Sequence, residues 1–346
     1  MSGSKRFSIL GLIGLCLMAG AIACASKGGD AIPSPPDDAL PHGYSSAGVE
    51  NWPMPPPRIE ELFAADDYEI IAAKSAGAGV TGAMKATIQF PSFDETLNVK
   101  WKRMPSPRLD GMNNSPRKEM AVYEIQKWFL DPEDYVVPTL SARCVPLEIA
   151  RRYRPEAAPT LPGTSCVLGV AAVWLENVTV PDQLLDEARF ANDSNYAYHM
   201  ANFNLLTYLV RHRDGRDGNF LVSRDEQNRR IFAVDNGIAF GGLVYNYFVP
   251  NWDRLRVPAL RRETIERLRR VERSDIEKLG VLVHFEKDGD GMLHRAPAPG
   301  NLDPSRGVRI QGSSVQLGLT RSEIDRIEER LDQLLEDVDT GNVAVY

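Results

Sequence analysis

The sequence predicts an α+β fold in two lobes, a small β-rich one followed by a larger and mostly helical one. Three observations point there. Between residues 68 and 104, apolar and polar residues alternate in short runs broken by glycines, the mark of strands and turns. From residue 116 the apolar spacing becomes helical, and it recurs over 194–210 and 320–338. Strands grouped first and helices grouped later belong to an α+β chain. Composition permits a packed core, with 43% of the 346 residues apolar and 25% charged.

The elements follow in chain order. Lys5 and Arg6 precede an apolar stretch from Phe7 to Ile22, the make-up of an export signal. Ala21-Ile22-Ala23-Cys24 then resembles the lipobox at which a cysteine is acylated, with Ala21 where leucine is usual. Cleavage after an Ala-x-Ala site is the other reading. Both readings export the protein, and the first (residues 1–23 as leader) anchors it to a membrane through a lipidated Cys24. Residues 24–57 hold eight prolines among Ser, Asp and Gly and read as an extended linker. The folded part is set at 58–346, with the first lobe about 58–165 and the second about 166–346.

Within it, Glu69 to Ala73, Ala86 to Phe90 and Leu97 to Met104 read as strands, and Pro116 to Leu130 as a helix. Val167 to Leu175 is an apolar run flanked by turn residues, a buried strand. A helix is predicted over 194–210, then two short strands at Phe220 to Ser223 and Arg230 to Val234. The remainder is expected to be mostly helical. It ends in Thr320 to Val338, where Thr320 and Glu323 fit a capping box.

Of four cysteines, Cys16 lies in the leader and Cys24 takes the lipid, leaving Cys144 and Cys166 as an even pair for a disulfide outside the cytoplasm. A net charge of −7 and a pI near 5.4 lack the basic footprint of nucleic-acid binding, so no nucleic-acid partner is expected. Eight arginines between 254 and 273 alternate with Glu263, Glu266 and Glu272, which reads as a solvated face laced with ion pairs. Asp288-Gly289-Asp290-Gly291 lacks the twelfth-position glutamate of a calcium loop and reads as a turn. Oligomeric state is left open.

Two motifs carry chemistry. Gly77-Ala78-Gly79-Val80-Thr81-Gly82 matches G-x-G-x-x-G, but alternation resumes after Gly82, giving strand–loop–strand. That order suits a loop over nucleotide phosphates in kinases more than a dinucleotide fold, which needs a helix there. The second is His212-Arg213-Asp214-Gly215-Arg216-Asp217-Gly218-Asn219, with Asp235-Asn236-Gly237 sixteen residues after Asn219. It resembles the kinase catalytic loop H-R-D-x-x-x-x-N and its D-F-G partner. Asp214 would be the catalytic carboxylate that accepts or orients the proton of an attacking hydroxyl. Asn219 and Asp235 would hold Mg²⁺ or Mn²⁺ against the phosphates of ATP. Asp217 is the rival of Asp214, disfavoured because only Asp214 has Asn at the fifth following position.

The segment Asp235-Asn236-Gly237-Ile238-Ala239-Phe240-Gly241 closely resembles the D-N-G-x-x-F-G segment of the secretory-pathway kinases, the family of the Golgi casein kinase and the proteoglycan xylose kinase. More distantly it is similar to phosphatidylinositol kinases. Gly215 and Arg216 replace the Arg-His of that family's catalytic loop. The resemblance implies a kinase-like fold over residues 68–245. Trp101-Lys102-Arg103-Met104 looks like its F-K-P-M strand, making Lys102 the phosphate-binding lysine, with Lys100 as runner-up and otherwise an exposed strand residue. The segment from Arg117 to Tyr123 looks like its helix, making Glu119 the partner of that lysine, with Glu124 as the local alternative. Trp174, Leu175 and Glu176 would form the hinge whose backbone meets adenine.

These readings converge on phosphoryl transfer from ATP to a hydroxyl on a protein or glycan acceptor. A scaffold without catalysis (a pseudokinase) and nucleotidyl transfer on the same fold, that is AMPylation, are the alternatives.

Overall fold

In the computed structural model the described residues fall in one compact unit. The structure describes residues 50–346 except 66, 77–82, 105–114, 217 and 242–250. The expected leader, Cys24 and most of the proline-rich stretch lie outside the described residues. Among the described residues no helix is long and apolar enough to cross a membrane. They form a mixed α+β architecture of helices and mostly antiparallel sheets.

The fold begins earlier than the proline content suggests. Asn51 and Trp52 are buried, and the Asn51 amide donates to the carbonyls of Glu176 and Asn177. Proline opens α1 (Pro56–Ala64), where its fixed φ suits the first helical turn, and Ile59, Leu62 and Phe63 are buried. The linker reading of 24–57 is therefore corrected at its end: those prolines start a helix packed on the core.

Three strands follow as an antiparallel meander, β1 (Glu69–Ser75), β2 (Met84–Phe90) and β3 (Glu95–Arg103). Along β3, Leu97, Val99 and Trp101 enter the core, while Lys100 and Lys102 stand on the other face. Next come α2 (Pro116–Gln126), β4 (Leu140–Pro146), α3 (Leu147–Tyr153) and β5 (Cys166–Val173). The sheet order is β1-β2-β3-β5-β4. Because β5 runs between β3 and β4 and every residue of it is buried, its sequence is an unbroken apolar run. The sheet continues through Val173, past the boundary expected at about 165/166. Sequence periodicity hid β4, whose polar Ser141 and Arg143 are both buried; Arg143 donates to the carbonyls of Phe63 and Ala65.

Beyond β5 lie β6 (Val178–Thr179), α4 (Glu187–Asn192), α5 (Ser194–Leu209), β7 (Phe220–Ser223) and β8 (Ile231–Ala233). Asp193 caps α5 by accepting the Tyr196 N–H, and the helix is buried almost all round. The β7–β8 turn is closed by Asp225, which accepts from the Gln227 N–H. Then come β9 (Ala259–Leu260), α6 (Arg262–Leu268) and α7 (Arg273–Lys278). Here arginines meet carboxylates at the surface, Arg267 with Asp131 and Glu263, and Arg273 with Glu277 and Asp325.

The expectation of a mostly helical remainder is overturned. A four-stranded sheet of order β11-β10-β13-β12 is built from β10 (Val283–Lys287), β11 (Leu293–Arg295), β12 (Val308–Gln311) and β13 (Ser314–Leu317). These strands are too short to show a period, and Asp288, accepting from the Asp290 and Met292 N–H groups, closes the β10–β11 turn. Phe285, Leu293, Val315 and Leu317 pack on Ala142, Cys144, Leu168 and Val170 of β4 and β5 and on Met120 of α2. The chain ends with α8 (Arg321–Asp339), capped by Thr320 and Glu323 as expected, and β14 (Ala344–Val345), which pairs with β9.

Cys144 and Cys166 pair as a disulfide between β4 and β5, with Cα atoms 5.5 Å apart and 22 residues of separation. Breaking a loop of that length should lower stability by about 3 kcal/mol. Urea unfolding with and without dithiothreitol checks this, and the Cys144→Ser/Cys166→Ser double variant should match the reduced protein.

Candidate active site

One cation sits between two carboxylates delivered from distant parts of the chain. The pleat of β3 turns Lys102 away from the core face and onto α2, where its Nζ donates to Glu119 Oε1 at 2.5 Å and to Asp235 Oδ1 at 2.8 Å. Lys102 is 2% exposed. Lys100, two residues earlier on the same face, brings its ammonium to 3.6 Å from Asp235 Oδ2. It is not the exposed strand residue that its sequence context suggested.

Burial lowers the affinity of Lys102 for its proton, but the charges of Asp235 and Glu119 outweigh that and hold the ammonium protonated well above the ordinary lysine range. Asp235 feels desolvation too, yet Lys102 and Lys100 together pull its carboxyl far below the usual range. Glu119, buried and repelled by Asp235, is raised although Lys102 opposes the shift. Asp235 is thus held ionised, and its side chain is a quarter exposed.

The loop from His212 to Asn219 is tied to Asp235 through the backbone and one imidazole. His212 Nε2 donates to the Asp235 carbonyl at 3.1 Å, while Nδ1 faces the Asp214 N–H at 3.4 Å. Burial lowers the His212 pKa, so the ring is a neutral bridge between the two aspartates' backbones. Val234 N donates to the Asn219 carbonyl at 2.9 Å, which sets Asn219 beside the residue that precedes Asp235. The Asn219 amide nitrogen donates to the Asp214 carbonyl at 2.9 Å. Its Oδ1 accepts no hydrogen bond from a described residue and is left as an oxygen ligand. The Asp214 side chain is buried, and Arg216 forks onto it, Nε to Oδ1 at 2.8 Å and Nη2 to Oδ2 at 2.6 Å.

An ionised carboxylate (Asp235) and a free amide oxygen (Asn219) suit Mg²⁺ or Mn²⁺, which take few protein ligands when phosphate supplies the rest. Among the described residues there is no cluster of three or more His, Cys, Asp or Glu that could cage a metal by itself.

The other expected residues are placed as follows. Glu124 is at the surface in an ion pair with Lys127, which removes it as the lysine's partner. Gly77, Gly79 and Gly82 lie outside the described residues, as does Asp217. The strands on either side of the glycines, β1 and β2, pair antiparallel, and the Ala76 N–H donates to the Ala83 carbonyl. Trp174, Leu175 and Glu176 follow β5, but the Trp174 N–H is bonded to the Asn98 carbonyl and the Glu176 N–H to the Asn51 carbonyl. Of the three, Leu175 alone keeps an N–H unengaged by described residues. Sequence reasoning assigned no role to His212 or Lys118. Lys118 is buried in α2 and donates to the Ala239 carbonyl at 2.8 Å, four residues past Asp235. The signal for His212 was its place at the head of H-R-D; for Lys118 there was none.

No protein-family model matches the chain, and no curated protein matches it closely enough to count as a relative.

Removing the cation leaves two carboxylates facing each other. Lys102→Met should cost about 3–5 kcal/mol at pH 7. The pH dependence should change sign as well. In the intact protein Asp235 is held low, so its contribution is complete above the unfolded value of about 4 and is lost as pH falls through and below it. In the variant Lys100 still faces Asp235, but buried Glu119 loses the ammonium bonded to it and is raised further, so stability should climb as pH falls from 7 to 5. Urea midpoints at those two values measure both effects.

Proposed function

We propose that the chain is an exported ATP-dependent kinase of two-lobed, kinase-like fold, transferring phosphate to a hydroxyl of a protein or glycan. The observation that carries the reading is the Lys102 ammonium within hydrogen-bond reach of both Glu119 and Asp235. A lysine on the third strand paired to a glutamate on the following helix, beside a metal-binding aspartate, is the kinase arrangement. The resemblance of Asp235–Gly241 to the secretory-pathway kinases and the disulfide between Cys144 and Cys166 support the same reading and the exported compartment.

In this account Lys102, held by Glu119, binds the α- and β-phosphates of ATP, and Lys100 adds positive charge beside them. Asn219 Oδ1 and the Asp235 carboxylate hold the divalent ion, which when bound neutralises charge on the phosphates. Asp214 receives or orients the proton of the acceptor hydroxyl as its oxygen bonds to the γ-phosphorus and the bond to ADP breaks. Arg216 must release one Asp214 oxygen for that step. Fixed charges in a partly buried site supply most of the rate. Lipidated Cys24 would place the enzyme on a membrane facing away from the cytoplasm.

A second reading, a nucleotide-binding scaffold without catalysis, draws on the engagement of both Asp214 oxygens by Arg216.

ATP with Mg²⁺ or Mn²⁺ should raise the melting temperature of the wild type and leave Asp235→Ala unchanged. Asp214→Asn should keep that thermal shift and lose about 10²–10⁴-fold in turnover. Label from γ-labelled ATP should reach acceptor protein or glycan; label from α-labelled ATP would instead mean AMPylation. Nucleotide binding without transfer of either label would establish the scaffold.

A further inference from the structure

The first turn of α2 reaches in three directions. Glu119 holds Lys102. Lys118, 1% exposed, holds the carbonyl of Ala239 in the segment that follows Asp235. Arg117, 3% exposed, turns the other way and forks onto Glu323 at the start of α8, Nη1 to Oε2 at 2.7 Å and Nη2 to Oε1 at 3.2 Å. Arg117 Nη1 also donates to the Gly318 carbonyl at 3.2 Å, at the end of β13. The Lys118 ammonium lies 3.6 Å from Glu323 Oε1. Just ahead of the helix, the Ser115 N–H donates to the Gly237 carbonyl at 3.2 Å.

Glu323 therefore has two tasks. As third residue of α8 it accepts from the Thr320 N–H at 2.9 Å, completing the capping box. A cap needs one carboxylate oxygen and no partner in α2. Here the same group also compensates two buried cations, Arg117 and Lys118. Burial alone would raise the Glu323 carboxyl, but the charge and hydrogen bonds of Arg117, with the charge of Lys118, lower it. Space has been cleared for this contact. A Cβ on Gly307 would fall 2.0 Å from Arg117 Nε, so the guanidinium runs where any other residue 307 would put its side chain. Two apolar residues in place of Arg117 and Glu323 would hold the helices together without that desolvation cost. Two ionic contacts join the first turn of α2 to the first turn of α8.

We infer that Glu323 is a positioning residue: through Arg117 and Lys118 the β10–β13 sheet and α8 set α2, and with it the Lys102–Glu119 pair and the Asp235 segment. The kinase reading supplies the use of that pair, but the positioning stands without it. The segment from β10 to α8, residues 283–339, is then the part that keeps the site assembled.

Hydrogen exchange read by mass spectrometry tests this on the whole exported chain. Glu323→Gln, and independently Gly307→Ala, which removes no charged group but displaces the Arg117 side chain, should speed exchange in both 115–126 and 235–241. Leu334→Ala, which truncates a buried residue of α8, is the control for general loss of stability. Thr320→Val removes the cap's hydroxyl and keeps the carboxylate. Exchange in the two segments should rise about tenfold beyond that in Leu334→Ala, and Thr320→Val should loosen only the first turn of α8. Equal exchange in Gly307→Ala and Leu334→Ala, or loosening of 115–126 by Thr320→Val alone, overturns the inference. Faster exchange together with a wild type that ATP does not stabilise would uphold the positioning role and remove the kinase reading.

Discussion

A single ammonium shared between two carboxylates governs this structure. Lys102 is almost wholly out of water, and so is Glu119, so neither charge is tolerable without the other. Asp235 is the third member and the one that reaches solvent. The three come from a strand, a helix and a loop, so one buried ammonium ties those elements together. Burying such a group is a poor route to stability compared with an apolar core of the same size.

Around that centre the protein adds ties that act on backbone atoms. His212 joins the Asp235 carbonyl to the Asp214 amide, Asn219 holds the Asp214 carbonyl, and Ser115 and Lys118 hold the carbonyls of Gly237 and Ala239. Carboxylate and amide oxygens are thereby aimed by their neighbours' main chains. The fork of Arg216 on Asp214 is the exposed exception, a surface arginine on a buried acid. Its release would couple the readiness of the acid to whatever approaches from solvent.

Much of the site was legible because its chemistry depends on residue type at fixed spacing. A lysine on an alternating strand, a glutamate in the first turn of a proline-started helix, and D-x-x-x-x-N followed by D-x-G could be read from pattern. What escaped had a physical reason. The strands β10 to β13 run three to five residues, too few for a period of two to stand out. Strand β4 carries a buried arginine whose partners are carbonyls 78 and 80 residues away. The prolines before residue 58 imitate a linker, although Pro56 starts a helix. Arg117 and Lys118 look like the solvated cations of any helix start; only the arrival of Glu323, 206 residues after Arg117, makes them buried ligands.

The most direct test of the central claim is a crystal structure of the soluble domain with Mn²⁺ and a non-hydrolysable ATP analogue, using manganese anomalous scattering to locate the ion. The account predicts an anomalous peak at about 2.0–2.3 Å from oxygens of both Asn219 and Asp235, with Lys102 turned onto the phosphates and still bonded to Glu119. A nucleotide bound elsewhere, or a peak that leaves out Asp235, would contradict it.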